Sequence, residues 1–262
     1  MAYTRNELIK NAKGEYVTFV DSDDYISKYT IEYLYKKIKE TNSDIAMCKV
    51  QNVYENTVKE DKIEEIVKFK EYNRLETIFN LISVGGFYDF PVAKLFSKKS
   101  LENIEFPLNR IYEDSSTVYK IYNKIEKIVV LENYFYNYLV GRENSITTKK
   151  YVYKNLYDNY LCIKERYEFL SDNVYELKNE IKMGYIRNIL TLIERAYLSE
   201  NDELINSDIV SNYLLLLEDL YKSIEDFKSR PYILNNYKFA CLYLLINKKN
   251  EEYVGIIKMI NC

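Results

Sequence analysis

A short apolar strand that runs directly into a cluster of carboxylates constrains this chain more than any other feature. The strand pattern ends at Val20, and Asp21, Asp23 and Asp24 follow at once. Hard divalent ions such as Mg²⁺ and Mn²⁺ prefer carboxylate oxygens and keep open coordination positions for substrate phosphates. The end of a strand also holds such side chains more rigidly than a free loop does. The junction therefore predicts a divalent metal site formed by these three aspartates.

A plain turn competes with the metal site when the residues are considered alone. Asp and Ser are common turn formers, and Ser27 can cap the helix that follows. A calcium-binding EF-hand is a further alternative, because Asp21, Asp23 and Glu32 occupy the first, third and twelfth positions of its loop. That count fails at the sixth position, where Ile26 replaces the required Gly.

The absence of histidine from all 262 residues excludes several kinds of active site together. Ser-His-Asp and Cys-His nucleophile systems, His-ligated zinc and His general bases all need an imidazole. Any chemistry must therefore use carboxylates, Tyr, Lys, Arg or Cys. The four cysteines form no CxxC pair, which favours buried thiols in a reducing compartment over a disulfide framework.

Charge and apolar runs predict a cytoplasmic protein that does not bind nucleic acid. The net charge of −3 comes from 37 basic and 40 acidic residues spread along the chain, without a clustered Lys/Arg face. No signal-peptide pattern opens the sequence. The longest apolar run, 239–246, is well short of the ~20 residues that span a bilayer. Peripheral attachment at the inner face of the membrane stays open.

Periodicity and turn residues predict an α/β region over residues 1–150 and a helical region over residues 151–262. The first region alternates helices and strands, whereas the second has the 3.6-residue periodicity of amphipathic helices throughout. The predicted elements of the first region are helices at 3–12, 28–41, 73–83 and 113–123, strands at 15–20, 44–50, 127–131 and 134–138, and an extended stretch at 87–96.

Seven short motifs follow one another between residues 4 and 146. They are Thr4-Arg5-Asn6, Lys13-Gly14-Glu15-Tyr16, Asp21-Ser22-Asp23-Asp24-Tyr25, Ala93-Lys94-Leu95-Phe96, Phe106-Pro107, Glu113-Asp114 and Asn144-Ser145-Ile146. Each alone is weak, but their order strongly resembles that of family 2 glycosyltransferases. The resemblance implies a partial GT-A, Rossmann-like sheet domain over residues 1–150, followed by an α-helical C-terminal domain over residues 151–262.

The resemblance implies a donor site that contains a metal ion. Asp21 and Asp23 match the DxD pair that holds Mn²⁺ or Mg²⁺ in the family, and Asp24 adjoins them. Arg5 matches an arginine near the nucleotide, and a solvated helix residue is the competing interpretation. A carboxylate-held dication neutralises the negative charge that develops on a nucleotide diphosphate leaving group.

Two further motifs imply a catalytic pair and a loop near the diphosphate. Asp114 matches the family's general base, and Glu113 precedes it. A helix N-terminus also favours both carboxylates through its dipole, and the two interpretations are compatible. Arg142 and Ser145 match a loop that closes near the donor diphosphate in relatives, with ordinary loop chemistry as the alternative.

The implied activity is an inverting, metal-dependent transfer of a sugar in the synthesis of a cell-surface polysaccharide. The donor is a nucleotide-sugar, with a UDP-sugar as the leading candidate, and the acceptor is a glycan or a lipid-linked glycan. A non-catalytic scaffold or interaction module derived from such an enzyme is the alternative.

The sequence departs from the family pattern at its start. Relatives begin with a strand of the type Ser-Val-Ile-Ile-Pro-Val-Tyr-Asn and a second strand that ends in Asp-Asp-Gly-Ser, and this chain starts with the helix that follows them. We therefore expect an N-terminally truncated domain with weak or no transferase activity unless a partner supplies the missing half. Val17, Phe19 and Val20 would then lie in a strand of a parallel sheet with one exposed hydrophobic edge, open to a partner chain or to self-association.

Overall fold

The structure is a computed structural model that describes residues 1–54, 67–141, 151–199 and 201–222, together with Cys241 and Glu252. The chain divides into two units. The first unit comprises Met1–Ile78, Asp89–Asn109 and Glu113–Lys149, and the second comprises Phe79–Tyr88, Arg110–Tyr112 and Lys150–Cys262. The second unit thus takes in two short segments that precede residue 150.

The chain up to residue 140 alternates helices and strands, as the α/β prediction requires. The elements are α1 (Ala2–Asn11), β1 (Tyr16–Thr18), β2 (Tyr25–Ile26), α2 (Thr30–Thr41), β3 (Ile45–Tyr54), β4 (Phe69–Asn73), α3 (Arg74–Ile82), β5 (Lys94–Ser97), α4 (Val118–Lys124) and β6 (Lys127–Val140).

The first three helices confirm the prediction to within about two residues at each end. In helix α2, Leu34 and Ile38 lie one turn apart and are both buried. This spacing of buried apolar residues is the pattern that predicts an amphipathic helix. The helix ends at Asn42, which adopts a left-handed conformation with φ of 50°. Asn tolerates that conformation better than most residues, and it is a common terminator of helices.

The strands form a mixed sheet in the order β1-β5-β3-β6-β2, and β4 also pairs with β6. Among these pairs β3 and β6 run parallel, and the others run antiparallel. Strand β6 is central to the arrangement, since β4 pairs with its first half and β2 with its second half. The sheet therefore brings the residues after β1 and those around β2 close to the far end of β6.

The prediction of two strands at 127–131 and 134–138 is wrong, because one continuous strand, β6, covers both. Glu132 and Asn133 suggested a turn by their polarity. The parallel partner β3 instead pairs with β6 on both sides of these residues, with register shifts near Met47 and Lys49. Local irregularity absorbs the polar pair without ending the strand.

Strand β1 lies at an edge of the sheet and pairs antiparallel with β5, whereas we expected a parallel neighbour. Within the described parts of the chain, no second strand pairs with β1. Phe19 is buried, Val17 is half-buried, and the exposed fraction of Val20 is 43%. The apolar run is therefore only partly covered.

Helix α4 begins at Val118, five residues later than predicted from Glu113. The carbonyl oxygen of Asp114 accepts hydrogen bonds from the backbone N–H groups of Thr117 and Val118, both at 2.9 Å. The Thr117 hydroxyl donates to the Glu113 carbonyl oxygen at 2.7 Å. Hydroxyl side chains bond to the backbone in this way and compete with helix formation, so the catalytic candidates lie in a turn ahead of the helix.

The second unit is helical. Its helices are α5 (Tyr153–Asn173), α6 (Lys178–Leu198), α7 (Asp202–Ile205) and α8 (Asp208–Lys222). Among the described residues, helix α6 supplies more of the buried core side chains than any other helix, and its Tyr185 stacks on Tyr167 of α5 with ring centroids 4.0 Å apart. Gly184 lets Ile82 approach, since a Cβ at this position would lie 3.1 Å from the Ile82 Cβ.

One bidentate ion pair and a main-chain hydrogen bond hold the short segment Arg110–Tyr112 within this unit. Arg110 binds both carboxylate oxygens of Glu165 at 2.8 Å, and the Ile111 N–H donates to Asp158 at 2.9 Å. Tyr213 and Leu217 of α8 are buried, as expected for bundle packing. No described helix is both long and apolar enough to cross a membrane.

The cysteines that the structure describes, Cys48, Cys162 and Cys241, are buried thiols that form no disulfide with one another, in agreement with the prediction. Burial raises the pKa of the Cys48 thiol to about 12. Such a thiol stays protonated at neutral pH and is a poor nucleophile.

Candidate active site

Arg5 joins two acidic residues that are distant in sequence. Its Nη1 donates to Glu113 Oε1 at 2.8 Å, and its Nη2 donates to Asp21 Oδ1 at 3.1 Å. The exposed fraction of the Arg5 side chain is 7%, so it is not a solvated helix residue. Breaking such a buried pair leaves an uncompensated charge. Arg5 therefore fixes the acidic turn and the Glu113-Asp114 pair in one place.

Helix α1 presents Arg5 through a second contact from the adjacent residue. The Asn6 amide donates to the Phe106 carbonyl oxygen at 2.9 Å and accepts from the Phe106 N–H at 2.8 Å. The Phe106 ring lies beneath the Arg5 guanidinium, with 5.6 Å from Cζ to the ring centroid. The motifs Thr4-Arg5-Asn6 and Phe106-Pro107 are separate in the sequence, but they are in contact in the folded protein.

The acidic turn after β1 is held by its own backbone and by β6. The Asp24 N–H donates to the Asp21 carbonyl oxygen at 3.0 Å and closes the turn. The Tyr136 hydroxyl donates to Asp24 Oδ2 at 2.7 Å, and the Leu139 N–H donates to Asp24 Oδ1 at 2.9 Å. The Asp21 N–H in turn donates to the Tyr136 hydroxyl oxygen at 3.2 Å. Asp24 therefore anchors the turn with both of its oxygens.

The environment of Asp24 weakens its claim to be a metal ligand. Burial raises the pKa of the Asp24 carboxyl, although hydrogen bonds from Tyr136 and Leu139 lower it. Burial, followed by the hydrogen bond to Asp24, also raises the pKa of the Tyr136 hydroxyl. Both Asp24 oxygens already accept hydrogen bonds, so a metal ion would have to share them.

Asp21 and Asp23 remain suitable for a divalent ion. Both side chains are partly exposed, and Asp21 uses one oxygen to accept the hydrogen bond from Arg5. Within the described residues, no group of three or more Asp, Glu or Cys side chains is arranged to hold a metal. Mg²⁺ is usually bound by one or two carboxylates together with waters and substrate phosphates. The donor set fits that mode, and the metal site stays a prediction.

Asp114 has the environment of a general base. Its Oδ1 accepts a hydrogen bond from the Ser115 N–H at 2.8 Å. Burial, followed by the negative charges of Asp89 and Glu113, raises the pKa of Asp114 to about 6, while Arg5 opposes the rise. A base with a pKa near the working pH is mostly ionised and still accepts a proton readily.

Two predicted donor residues, Arg142 and Ser145, lie outside the described residues. Their roles stay predictions. Sequence reasoning in turn missed Tyr136 and Asp89, which act on Asp24 and Asp114 respectively. Tyr136 falls within a strand pattern rich in tyrosine, and nothing in its spacing distinguishes it from its neighbours. Asp89 follows Gly85-Gly86 in a segment that suggested only extended chain.

The family model described as "Glycosyl transferase family 2" matches residues 1–105. That range includes Arg5, Asp21 and Asp23 of the site. This part of the chain is similar to the family 2 glycosyltransferases. Glu113 and Asp114 lie beyond the matched range, and Arg5 within that range donates a hydrogen bond to Glu113.

Curated glycosyltransferases match a longer part of the chain. Glycosyltransferase GlyA of Streptococcus pneumoniae is 29% identical over 192 residues, which are 69% of this chain and 27% of the relative. The poly(ribitol-phosphate) beta-glucosyltransferase of Bacillus spizizenii is 34% identical over 151 residues, or 56% of this chain and 22% of the relative. The chain thus spans about a quarter of the length of these two family relatives.

A solved glycosyltransferase structure shares the fold. The crystal structure of S. aureus TarS 1-349 in complex with UDP-GlcNAc superposes with a TM-score of 0.60 at 20% identity, and the match covers 100% of this chain and 72% of that one. The predicted GT-A fold with a helical C-terminal region is confirmed by this likeness. The chain is thus similar in sequence to glycosyltransferases and shares the fold of one.

Proposed function

We propose that this chain forms the catalytic part of a glycosyltransferase that moves a sugar from a UDP-sugar to a glycan polymer of the cell surface. The observation that carries the proposal is the bridge from Arg5 to Asp21 and Glu113, because it unites the donor-site and base motifs. The structure of TarS with UDP-GlcNAc supports the choice of donor. The Bacillus relative, whose name includes poly(ribitol-phosphate), supports a polymeric acceptor.

Asp114 is the proposed general base. Its carboxylate accepts the proton of the acceptor hydroxyl as that oxygen attacks the anomeric carbon of the donor sugar. The new bond joins the acceptor oxygen to the anomeric carbon, and the bond from that carbon to the diphosphate oxygen breaks with its electron pair leaving on UDP. Attack from the face opposite UDP inverts the anomeric configuration.

Arg5 and the acidic turn organise the donor side of the reaction. Asp21 and Asp23 would hold Mn²⁺ or Mg²⁺, which supplies positive charge for the diphosphate leaving group. Arg5 keeps Asp21 in position through the hydrogen bond to Oδ1. Tyr136 and Leu139 keep the turn closed through Asp24. These contacts hold the turn rigid before the donor arrives, which lowers the entropy cost of binding.

Two associations follow from this proposal, one with another protein chain and one with a membrane. Among the described residues, β1 pairs with β5 on one side and with no strand on the other. A strand from a second copy or a partner chain could add to β1 beside Val17 and Val20. A lipid-linked acceptor would place the protein at the cytoplasmic face of a membrane as a peripheral protein. Light scattering of wild type and of Val17→Lys tests the addition of a strand to β1. A wild-type dimer that the lysine charge dissociates supports this addition, and a wild-type monomer contradicts self-association. Flotation with liposomes of anionic lipid tests the association with a membrane. Protein that stays at the bottom of the density gradient contradicts it.

Isothermal calorimetry with UDP, with and without Mn²⁺, tests the proposed function. We expect metal-dependent binding that Asp23→Ala abolishes. Asp172→Ala is the matched control, since Asp172 is an exposed carboxylate near the end of α5. It should bind UDP as wild type does. Transfer from UDP-sugars to a glycan acceptor is then measured with both variants.

A folded chain that binds no UDP in the presence of Mn²⁺ would contradict the proposal and favour the scaffold alternative. Binding that does not depend on metal, and that Asp23→Ala leaves intact, would contradict the metal role alone. Circular dichroism of each variant establishes that a loss of binding is not a loss of folding.

A further inference from the structure

Lys94 is a fully buried lysine at the start of β5, with an exposed fraction of 0%. Its Nζ donates to the Phe90 carbonyl oxygen at 2.6 Å and lies 3.4 Å from the Val92 carbonyl oxygen. The amine also lies 4.9 Å from the centroid of the Phe90 ring. Lysine is almost never fully buried unless it is paired. The motif Ala93-Lys94-Leu95-Phe96 therefore contains a side chain whose burial needs an explanation.

The backbone around Lys94 wraps the segment 89–92 around its amine. Ala93 has a φ of 59°, a left-handed conformation that costs free energy for a residue with a Cβ. The Ala93 carbonyl oxygen accepts the Cys48 N–H at 3.0 Å, and Val92 forms a parallel bridge with Phe19. Neighbouring elements thus hold the strained turn in place.

The charges around Lys94 include the proposed base. Burial lowers the pKa of Lys94 to about 7, and the negative charges of Asp89, Cys48 and Asp114 oppose that fall. Asp89 also raises the pKa of Asp114, as Glu113 does, while Arg5 lowers it. Lys94, Asp89 and Asp114 therefore form one electrostatic cluster.

Asp89 is the link between the buried amine and the base. It precedes Phe90, whose carbonyl oxygen accepts the shorter of the two hydrogen bonds from Lys94. Burial without access to solvent argues against a nucleophilic role for the amine itself. If the side chain at position 94 only filled space in the core, an apolar residue would be more stable there, because the burial of a cation costs free energy.

We propose that Lys94 is a positioning residue for Asp114: its ammonium group holds the 89–92 turn by two backbone carbonyl groups and so fixes the Asp89 carboxylate, whose charge it offsets and which acts on the base. This inference rests on the proposed function of Asp114 as the base. Lys94 touches neither substrate nor leaving group in this role. It sets the pH range over which Asp114 is ionised.

Carboxyl ¹³C NMR titration of Asp114 tests the inference without any need for turnover. The resonance is assigned by its absence in Asp114→Asn. Lys94→Met removes a positive charge and leaves Asp89 uncompensated, so the Asp114 midpoint should rise. Asp89→Asn removes a negative charge, so the midpoint should fall. The double variant, which lacks both charges, should have a midpoint between those of the two single variants.

The Asp114 midpoint should move in opposite directions in Lys94→Met and Asp89→Asn. This difference distinguishes an effect of charge from a general loosening of the fold. Equal midpoints in folded wild type, Lys94→Met and Asp89→Asn would overturn the inference, as would shifts of the same sign in both variants. Where Lys94→Met does not fold, the wild-type titration decides. The Asp114 resonance should then show a second inflection near pH 7 as Lys94 loses its proton, and a single inflection overturns the inference.

Kinetics on the same proteins separate this inference from the proposed function. In Lys94→Met the acid limb of kcat should move to higher pH while KM for the donor stays near its wild-type value. Opposite NMR shifts without transfer in any protein would support the Lys94 inference and contradict the proposed function. Transfer with unmoved Asp114 midpoints would support the proposed function and overturn the role of Lys94.

Discussion

The Tyr136 hydroxyl donates a 2.7 Å hydrogen bond to Asp24 Oδ2, which links the middle of strand β6 to the acidic turn of the proposed donor site. The same hydroxyl accepts the Asp21 N–H at 3.2 Å. One oxygen atom thus holds both ends of the turn. Removal of this hydroxyl leaves the Asp24 carboxylate in place but takes away its anchor. It therefore tests whether Asp24 acts by holding the turn or by binding a metal ion directly.

Tyr136→Phe should weaken metal-dependent UDP binding several-fold and lower the free energy of unfolding by ~1 kcal/mol, since a partly buried carboxylate loses a hydrogen bond. Calorimetry and urea denaturation measure the two effects. Tyr134→Phe is the control, because Tyr134 lies on the same strand but is 55% exposed. Unchanged binding in Tyr136→Phe would mean that the turn keeps its shape without this contact.

Arg5→Lys should lose most of the bridge even though the charge is retained. A lysine amine has no planar fork, so it cannot reproduce the two separate bonds to Glu113 and Asp21. We expect destabilisation of ~3 kcal/mol, comparable to breaking a buried ion pair, together with loss of UDP binding. Urea denaturation of Arg5→Lys and of Lys10→Ala, an exposed change on the same helix, measures the difference. Equal stability of the two variants would refute the bridging role.

Asp114→Asn should be more stable than wild type at pH 7 and much slower in transfer. The folded pKa of Asp114 is raised to about 6, above the ~3.9 of an unfolded chain. The folded state therefore binds more protons between these values, and stability falls as pH rises through about 4 to 6. Asn removes this penalty, with a gain of ~1–3 kcal/mol above pH 6 that vanishes toward pH 4.

Urea denaturation at pH 4, 5 and 7 checks the sign of that difference. Asp172→Asn, an exposed change, should show no comparable dependence on pH. A variant at Asp114 that is no more stable than wild type at pH 7 would mean that the carboxylate is well solvated in the folded protein. Transfer should fall by ~10²–10⁴-fold, the usual contribution of a general base.

The rate of transfer should decline below about pH 6, because Asp114 must be ionised to accept a proton. The chain contains no His, so an imidazole of this protein cannot produce such a limb. The pH profile of kcat/KM measures it, and the residual activity of Asp114→Asn should be flat over the same range. A limb that persists in Asp114→Asn would point to Asp24, whose pKa is also raised.

Local patterns sufficed for the first three helices, and they suggested the residue types of a site that stays a prediction. Leu34 and Ile38 marked α2 by their spacing, and the motifs that contain Arg5 and Asp21 indicated a donor site before any geometry was known. The geometry adds the bridge to Glu113, which joins residues 108 positions apart. Such a contact depends on how the sheet is assembled and leaves no periodic signal.

The errors have the same origin in long-range pairing. Glu132 and Asn133 suggest a turn locally, but pairing with β3 keeps β6 continuous. Asp24 looks like its acidic neighbours in sequence, and only the distant Tyr136 and Leu139 give it an anchoring role. Lys94 has no feature in sequence that indicates burial, because its partners are backbone carbonyl groups.

Strand β6 also has a consequence for the order of events during synthesis. It pairs with β2, β3 and β4, all of which leave the ribosome long before it does. A nascent chain that ends before Tyr136 can form α1 and α2, yet it lacks the strand that closes the acidic turn. Contacts of such long sequence separation form slowly. The donor site should therefore be among the last parts of the sheet unit to mature, and translation must pass Leu139 before the nascent protein can hold a nucleotide.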